Sequence, residues 1–151
     1  MHIRIGTDIV LISRVRSLFE RFGDRFLQRV YTIAEQEEFH RRCAERHPSE
    51  NAIGFLAGRW AAKEAVVKAL GTGWRGVRYT DISIGLQQSG APAVMLTPTP
   101  QTQPWLQGSW QLSLSHDGDY AIATALWSGD LPQESLHAPS GATNPYPSGD
   151  V

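Results

Sequence analysis

Phe55-Leu56-Ala57-Gly58-Arg59-Trp60-Ala61-Ala62-Lys63-Glu64-Ala65-Val66-Val67-Lys68-Ala69-Leu70, closed by Gly71-Thr72-Gly73, is the stretch on which the reading of this chain turns. At about 100° per residue, Leu56, Trp60, Val67 and Leu70 gather on one arc, and Phe55, Ala62, Ala65, Val66 and Ala69 cover most of the rest. A helix of that composition is expected to be buried nearly all round and to stop at Gly71. Yet Lys63 points into the large-residue arc beside Arg59, and Glu64 and Lys68 share a stripe at (i, i+4). Charges in an apolar setting need partners or ligands, so this helix is where function is sought.

Upstream, residues 2–10 alternate, with Ile3, Ile5 and Ile9 on one side and Arg4, Gly6, Asp8 and Val10 on the other, as a half-buried strand should. On this reading Asp8 lies at the strand's exposed end. Ser13 is placed to cap a helix carrying Val15, Leu18, Phe19, Phe22 and Phe26 inward, with Gly23-Asp24 a point where it can split. If that helix is continuous, Arg14, Arg21 and Arg25 fall within about 40° of one another and form a docking stripe. Thr32-Ile33-Ala34-Glu35 reads as a capping box opening a second helix toward Arg46, and Pro48 to Asn51 as a linker.

Downstream, residues 81–84 and 92–97 read as short strands around the turn formers Gln88-Ser89-Gly90. A poorly patterned stretch, Pro98 to Gly108, precedes two alternating runs, Trp110 to Ser115 and Tyr120 to Leu126. The Asp-Gly turn of His116-Asp117-Gly118-Asp119 joins these into a hairpin. From about Gly129 the chain is rich in Pro, Ser and Gly without apolar period and is expected to be disordered. The expected organisation is thus one domain over 1–128 with a tail over 129–151. Helices packed on a small, largely antiparallel sheet make the class α+β.

Composition narrows the function classes. With 151 residues the chain suits one domain with a real core, and its single cysteine, Cys43, excludes an internal disulfide framework and fits a reducing cytoplasm. No apolar run is long enough to span a bilayer, and the opening Met1-His2-Ile3-Arg4-Ile5-Gly6 reads as a strand, not a signal peptide. The net charge of −1 hides a division: all 14 Lys and Arg lie at or before Arg78, giving +5 through Thr80 and −6 beyond it. A basic half suggests an anionic partner: phosphate, nucleic acid or an acidic protein. Nucleic acid is disfavoured because the basic residues are interleaved with acids and the total is near zero.

Asp8 and Glu64 are the carboxylates least explained by solubility. If the helix crosses the first strand they meet, and two carboxylates completed by water and phosphate oxygens make the usual kind of Mg²⁺ site in phosphoryl chemistry. The alternative is a turn acid and an (i, i+4) partner for Lys68. Arg59, Lys63 and Lys68 can together hold a diphosphate, with Gly71-Thr72-Gly73 leaving backbone free to approach it. The alternative for each is a snorkelling side chain. Ser115-His116-Asp117 lacks the geometry of a hydrolase triad, and a phosphate or ribose contact from His116 is more economical. His40, Cys43 and His47 share a helical face but want a fourth ligand for zinc.

Three ordered motifs now combine: the strand Ile5-Gly6-Thr7-Asp8-Ile9-Val10, the helix from Phe55 to Ala65 with Lys68-Ala-Leu-Gly-Thr-Gly73, and Leu114-Ser-His-Asp-Gly-Asp-Tyr-Ala121. They resemble the holo-[acyl-carrier-protein] synthase family, the short, single-unit type of 4′-phosphopantetheinyl transferase, over residues 3–127. The resemblance implies that fold, and transfer of 4′-phosphopantetheine from coenzyme A to a serine of an apo acyl carrier protein with release of adenosine 3′,5′-bisphosphate. It implies Mg²⁺ held by Asp8 and Glu64, coenzyme A contacts from Arg59, Lys63 and His116, and Lys68 beside the reacting phosphate. Gly71 joins the expected coenzyme A contacts. Either Glu64 or a water on the metal takes the serine proton.

By the same likeness Arg14 matches a carrier-contacting position and the assembly is a homotrimer with active sites between subunits; Arg21 and Arg25 extend the docking stripe toward the acidic carrier on charge and geometry. The chain departs from the family at Gly90-Ala91-Pro92, where Gly-Lys-Pro is usual, and in its long tail. The reading from another class is a noncatalytic module on the same fold that binds a nucleotide or an acidic protein.

Overall fold

The computed structural model describes residues 1–43 and 48–130. Their elements are β1 (His2–Leu11), α1 (Ile12–Phe22), α2 (Asp24–Val30), α3 (Ile33–Arg42), α4 (Glu50–Leu70), β2 (Ile82–Leu86), β3 (Pro92–Leu96), β4 (Ser109–Asp117) and β5 (Tyr120–Gly129). The strands form two sheets, a three-stranded one in the order β1-β5-β4 and the hairpin β2-β3. Every pairing is antiparallel. The class is α+β, with two sheets in place of the expected one.

Helix α4 is the axis of the domain. The Ser49 side chain accepts a hydrogen bond from the Ala52 amide at 3.2 Å, so the helix begins at Glu50 and consumes the end of the segment read as a linker. Gly71 terminates it at φ 76°, ψ 2°, a left-handed conformation that glycine adopts without penalty. β1 lies directly against this helix. A Cβ on Gly6 would stand 2.0 Å from the Ala65 carbonyl oxygen and 2.6 Å from the Ala69 amide, so only glycine permits the crossing.

That close approach inverts the strand. The Arg4, Gly6, Asp8, Val10 side turns toward α4, while Ile3, Ile5 and Ile9 are 62, 66 and 60 % exposed. β5 behaves in the same way: Ala121, Ala123, Ala125 and Trp127 are buried, and Tyr120 and Ile122 are exposed. The two-residue period holds, but backbone proximity selects the small side chains for the interior. Asp8 therefore faces the helix rather than the exposed end of its strand.

The helical arm also departs from expectation. Gly23, at φ 52°, breaks it into α1 and α2; Ser13 falls inside the first turn instead of capping it, and Phe22 is exposed. Val15, Phe26, Leu27, Tyr31, Phe39, Ile53 and Leu56 form the core beneath this arm, and a second cluster around Val66, Ile82, Trp105 and Trp127 lies at the other end of α4. α3 stops at Arg42, short of Arg46, which with His47 lies outside the described residues. β5 runs through Gly129, one residue past the expected boundary, and residues 131–151 of the expected tail lie outside the described residues. No helix among the described residues is long and apolar enough to cross a membrane.

Candidate active site

The crossing of β1 over α4 brings Asp8, Lys68 and Glu64 together. Lys68 Nζ donates to Asp8 Oδ1 at 2.8 Å and to the Thr7 carbonyl oxygen at 2.9 Å. Asp8 is 17 % exposed and Lys68 52 %, so the pair stands at the rim of the interior. Burial raises the Asp8 carboxyl above its ordinary value; Lys68 pulls it back, and the nearby charge of Glu64 adds to the rise. The (i, i+4) partnership of Glu64 with Lys68 does not form. Instead Glu64 Oε1 accepts from Tyr79 Oη at 2.6 Å and Trp60 Nε1 at 3.3 Å, and its Oε2 from Trp74 Nε1 at 3.3 Å.

The donor set suits a hard divalent cation. Both groups are carboxylates, one partly desolvated and the other without a cationic partner among the described ion pairs. No group of three or more His, Cys, Asp or Glu capable of holding a metal occurs among the described residues. A divalent cation held by Asp8 and Glu64 alone would leave most coordination positions to water and phosphate oxygens, as Mg²⁺ favours. Of the His40, Cys43 and His47 grouping, His47 lies outside the described residues.

Lys63 corrects the expectation placed on it. Its ammonium is fully buried and donates to the Val30 carbonyl at 2.7 Å, the Tyr79 carbonyl at 3.0 Å and Glu35 Oε2 at 2.6 Å. An ammonium has three N–H bonds, and all three are spent inside the protein. Lys63 is therefore not available to a coenzyme A phosphate in this structure. Glu35, read from the sequence as a capping residue, accepts from the Thr32 amide and also from the Ile84 amide, each at 2.8 Å. Burial pushes the Lys63 ammonium down from its usual value, and Glu35 opposes the shift.

Arg59 and His116 line a second region, a cleft of about 410 Å³ with Phe55, Arg42, Gly118 and Asp119. His116 lies against the helix: a Cβ on Gly58 would come within 2.9 Å of its Nε2. Arg42 and Arg59 each place a guanidinium 4.6 Å from the Phe55 ring centroid. Arg59 Nε is buried without a hydrogen-bond partner, and burial works against its charge. A guanidinium with an unpaired donor beside an open cleft has the chemistry to hold an anion. Arg42 was missed in the sequence because one arginine in the basic run at the end of α3 is not distinguished by pattern. Gly71 lines neither this cleft nor its neighbour on Arg41 and Met95; its visible work is to stop α4.

Arg14, Arg21 and Arg25 are all exposed, but the break at Gly23 separates Arg25 from the other two. Arg14 stands 5.6 Å over the ring of Trp60, whose Nε1 donates to Glu64, whereas Arg21 covers Phe22.

Residues 4–125 match the model of the 4′-phosphopantetheinyl transferase superfamily. The chain belongs to that superfamily. Within it, the chain is 49 % identical over 123 residues to a holo-[acyl-carrier-protein] synthase of Gloeobacter violaceus, covering 80 % of this chain and 89 % of the relative. The holo-[acyl-carrier-protein] synthase of Neisseria meningitidis matches in structure with a TM-score of 0.69 at 35 % identity, covering 83 % of this chain and 98 % of that one. That of Helicobacter pylori, solved in complex with coenzyme A, gives 0.66 at 31 % identity over 82 and 99 %. The described fold is therefore shared with these solved synthases.

Proposed function

We infer that this chain is a holo-[acyl-carrier-protein] synthase: it transfers the 4′-phosphopantetheine group of coenzyme A to a serine of an apo acyl carrier protein, releasing adenosine 3′,5′-bisphosphate. The observation that carries the reading is the Asp8, Glu64 and Lys68 cluster at the crossing of β1 and α4, in a chain belonging to this superfamily.

When bound between Asp8 and Glu64, Mg²⁺ would neutralise charge on the diphosphate of coenzyme A. Lys68 spends two of its three N–H bonds on Asp8 and Thr7, which leaves one for a phosphoryl oxygen. As the serine oxygen attacks phosphorus, charge grows on those oxygens and on the leaving group, and a fixed ammonium stabilises the transition state more than the ground state. Arg59 and His116 would hold the nucleotide end of coenzyme A, with Arg42 added to the set. Arg14 is placed to meet acidic residues of the carrier, and Arg21 contributes charge nearby. Such rim charges act mostly on association rate and salt dependence.

A homotrimer with shared active sites is supported by two features. The apolar ladder Ile5–Leu126, Ile9–Ile122 and Leu11–Tyr120 runs along the face of the sheet turned away from α4, with its isoleucines largely exposed in the single chain. Arg59 and Glu64 also leave α4 about 140° apart, so the cleft and the carboxylates of one chain face different directions. A reducing cytoplasm is the setting proposed.

The test is incubation with coenzyme A, Mg²⁺ and a panel of apo acyl carrier proteins. The expected result is a carrier heavier by one phosphopantetheine group, abolished by chelation. An unmodified panel, together with retained binding of nucleotide or carrier, would instead establish the noncatalytic module.

A further inference from the structure

Glu64 sits among neutral donors where a partly buried carboxylate ordinarily takes a cation. A carboxylate offers about four lone-pair directions. Three are filled, by Tyr79 Oη, Trp60 Nε1 and Trp74 Nε1. The cation four residues on, Lys68, is engaged by Asp8.

The donors are themselves fixed. Trp74 stacks on Tyr79 with centroids 3.8 Å apart, Trp60 meets Tyr79 edge-on at 6.2 Å, and Phe26 packs against Trp60 at 5.6 Å. Beneath them, buried Lys63 holds the Tyr79 backbone carbonyl at 3.0 Å. Tyr79 Oη donates to Glu64 Oε1 at 2.6 Å, the shortest of the three bonds. Three donors thus come from three places on the chain, and each is held by packing independent of Glu64.

We propose that Trp60, Trp74 and Tyr79 are positioning residues that pin the Glu64 carboxylate in one orientation and leave it a single open lone pair, making it a one-oxygen ligand for the divalent cation. The proposal rests on the reading that Asp8 and Glu64 hold that cation. A carboxylate locked before binding loses no rotamer freedom when the metal arrives, and the partners that orient a ligand typically contribute about ten- to a hundredfold in metal affinity. The neutrality of the donors matters as well: an arginine in the same place would compete with the metal, whereas indole and phenol groups orient the carboxylate and leave its charge unanswered.

The test uses the whole chain and Mn²⁺ alone as probe, with free Mn²⁺ followed by its electron paramagnetic resonance signal, alongside transfer rates across Mg²⁺ concentrations. Tyr79→Phe, which removes only the short hydrogen bond, is expected to weaken Mn²⁺ binding about tenfold and to raise the half-saturating Mg²⁺ concentration by the same factor, with the KM for carrier unchanged. Trp74→Phe, losing a longer bond, is expected to shift both by about threefold. Trp110→Phe is the control, because Trp110 Nε1 is buried without a partner and donates nothing to Glu64.

Unaltered Mn²⁺ binding in both Tyr79→Phe and Trp74→Phe overturns the proposal, as does a loss in KM for carrier with metal dependence intact. If Tyr79→Phe does not fold, Trp74→Phe carries the measurement. A wild-type chain that transfers phosphopantetheine but binds no Mn²⁺ overturns the metal reading and this role with it. A wild-type chain that binds Mn²⁺ normally but modifies no carrier removes the transferase reading and leaves the cradle standing.

Discussion

Helix α4 contributes a lysine to each of two ion pairs, and their fates diverge. Lys63 and Glu35 are 0 and 2 % exposed, and every N–H of the ammonium has a protein acceptor. Lys68 and Asp8 are 52 and 17 % exposed, and the ammonium keeps one N–H in reserve. Chemically the pairs are alike, so composition does not separate them. What separates them is valence left over: a closed pair ties α2, α3, α4 and β2 together, and an open one keeps a donor free. Saturation, more than charge, separates the two pairs in this molecule.

Lys63→Met tests the closed pair most severely. It should leave Glu35 as an uncompensated buried charge and cost about 3–5 kcal/mol of stability in urea unfolding. Adding Glu35→Leu should recover part of that loss, and a Lys63→Met chain of normal stability that binds coenzyme A poorly would restore the ligand role this structure denies it. Asp8→Ala and Glu64→Gln, on the open side, should each reduce transfer about a hundredfold or more while the unfolding midpoint barely moves. Near-normal Mg²⁺-dependent rates in either variant would remove the distinction.

Further from the ions the expected effects shrink. Arg14→Glu should raise the KM for carrier about tenfold, in a salt-dependent manner, with the KM for coenzyme A unchanged; equal effects on both would count against docking. Ile9→Glu places a charge on the exposed sheet face and should shift the mass measured by light scattering from trimer to monomer without loss of the monomer's fold. An unchanged mass would mean that this apolar ladder is not the contact between subunits.

Much of this arrangement was legible in residue order. The period of α4, its stop at Gly71, the capping box at Thr32, the two hairpins and the α+β class follow from local rules of period, cap and turn, which act within a few residues. The motifs around Asp8, Glu64 and His116 carried the family. Misreadings came where a local rule met a distant contact. Ile3, Ile5 and Ile9 read as the buried side of β1, but Gly6 has to touch the α4 backbone, and the alanine face of β5 follows it inward. Ser13 read as a cap, yet the helix starts directly at Ile12, whose amide is satisfied by the Asp119 carbonyl at 2.8 Å from another part of the chain.

By itself, then, the sequence determined which segments are helix and strand, which charges are unusual for their surroundings, and to which superfamily the chain belongs. Only the tertiary structure decided which partners each charge meets. Whether a lysine is a strut or a ligand depends on how many of its N–H bonds find acceptors, and for Lys63 those acceptors come from residues 30, 35 and 79. The partners of Glu64 span residues 60 to 79, and the partner of Lys68 lies 60 residues upstream. Periodicity reports the direction in which a side chain leaves its own helix; it holds no information about the groups that other elements bring to meet it.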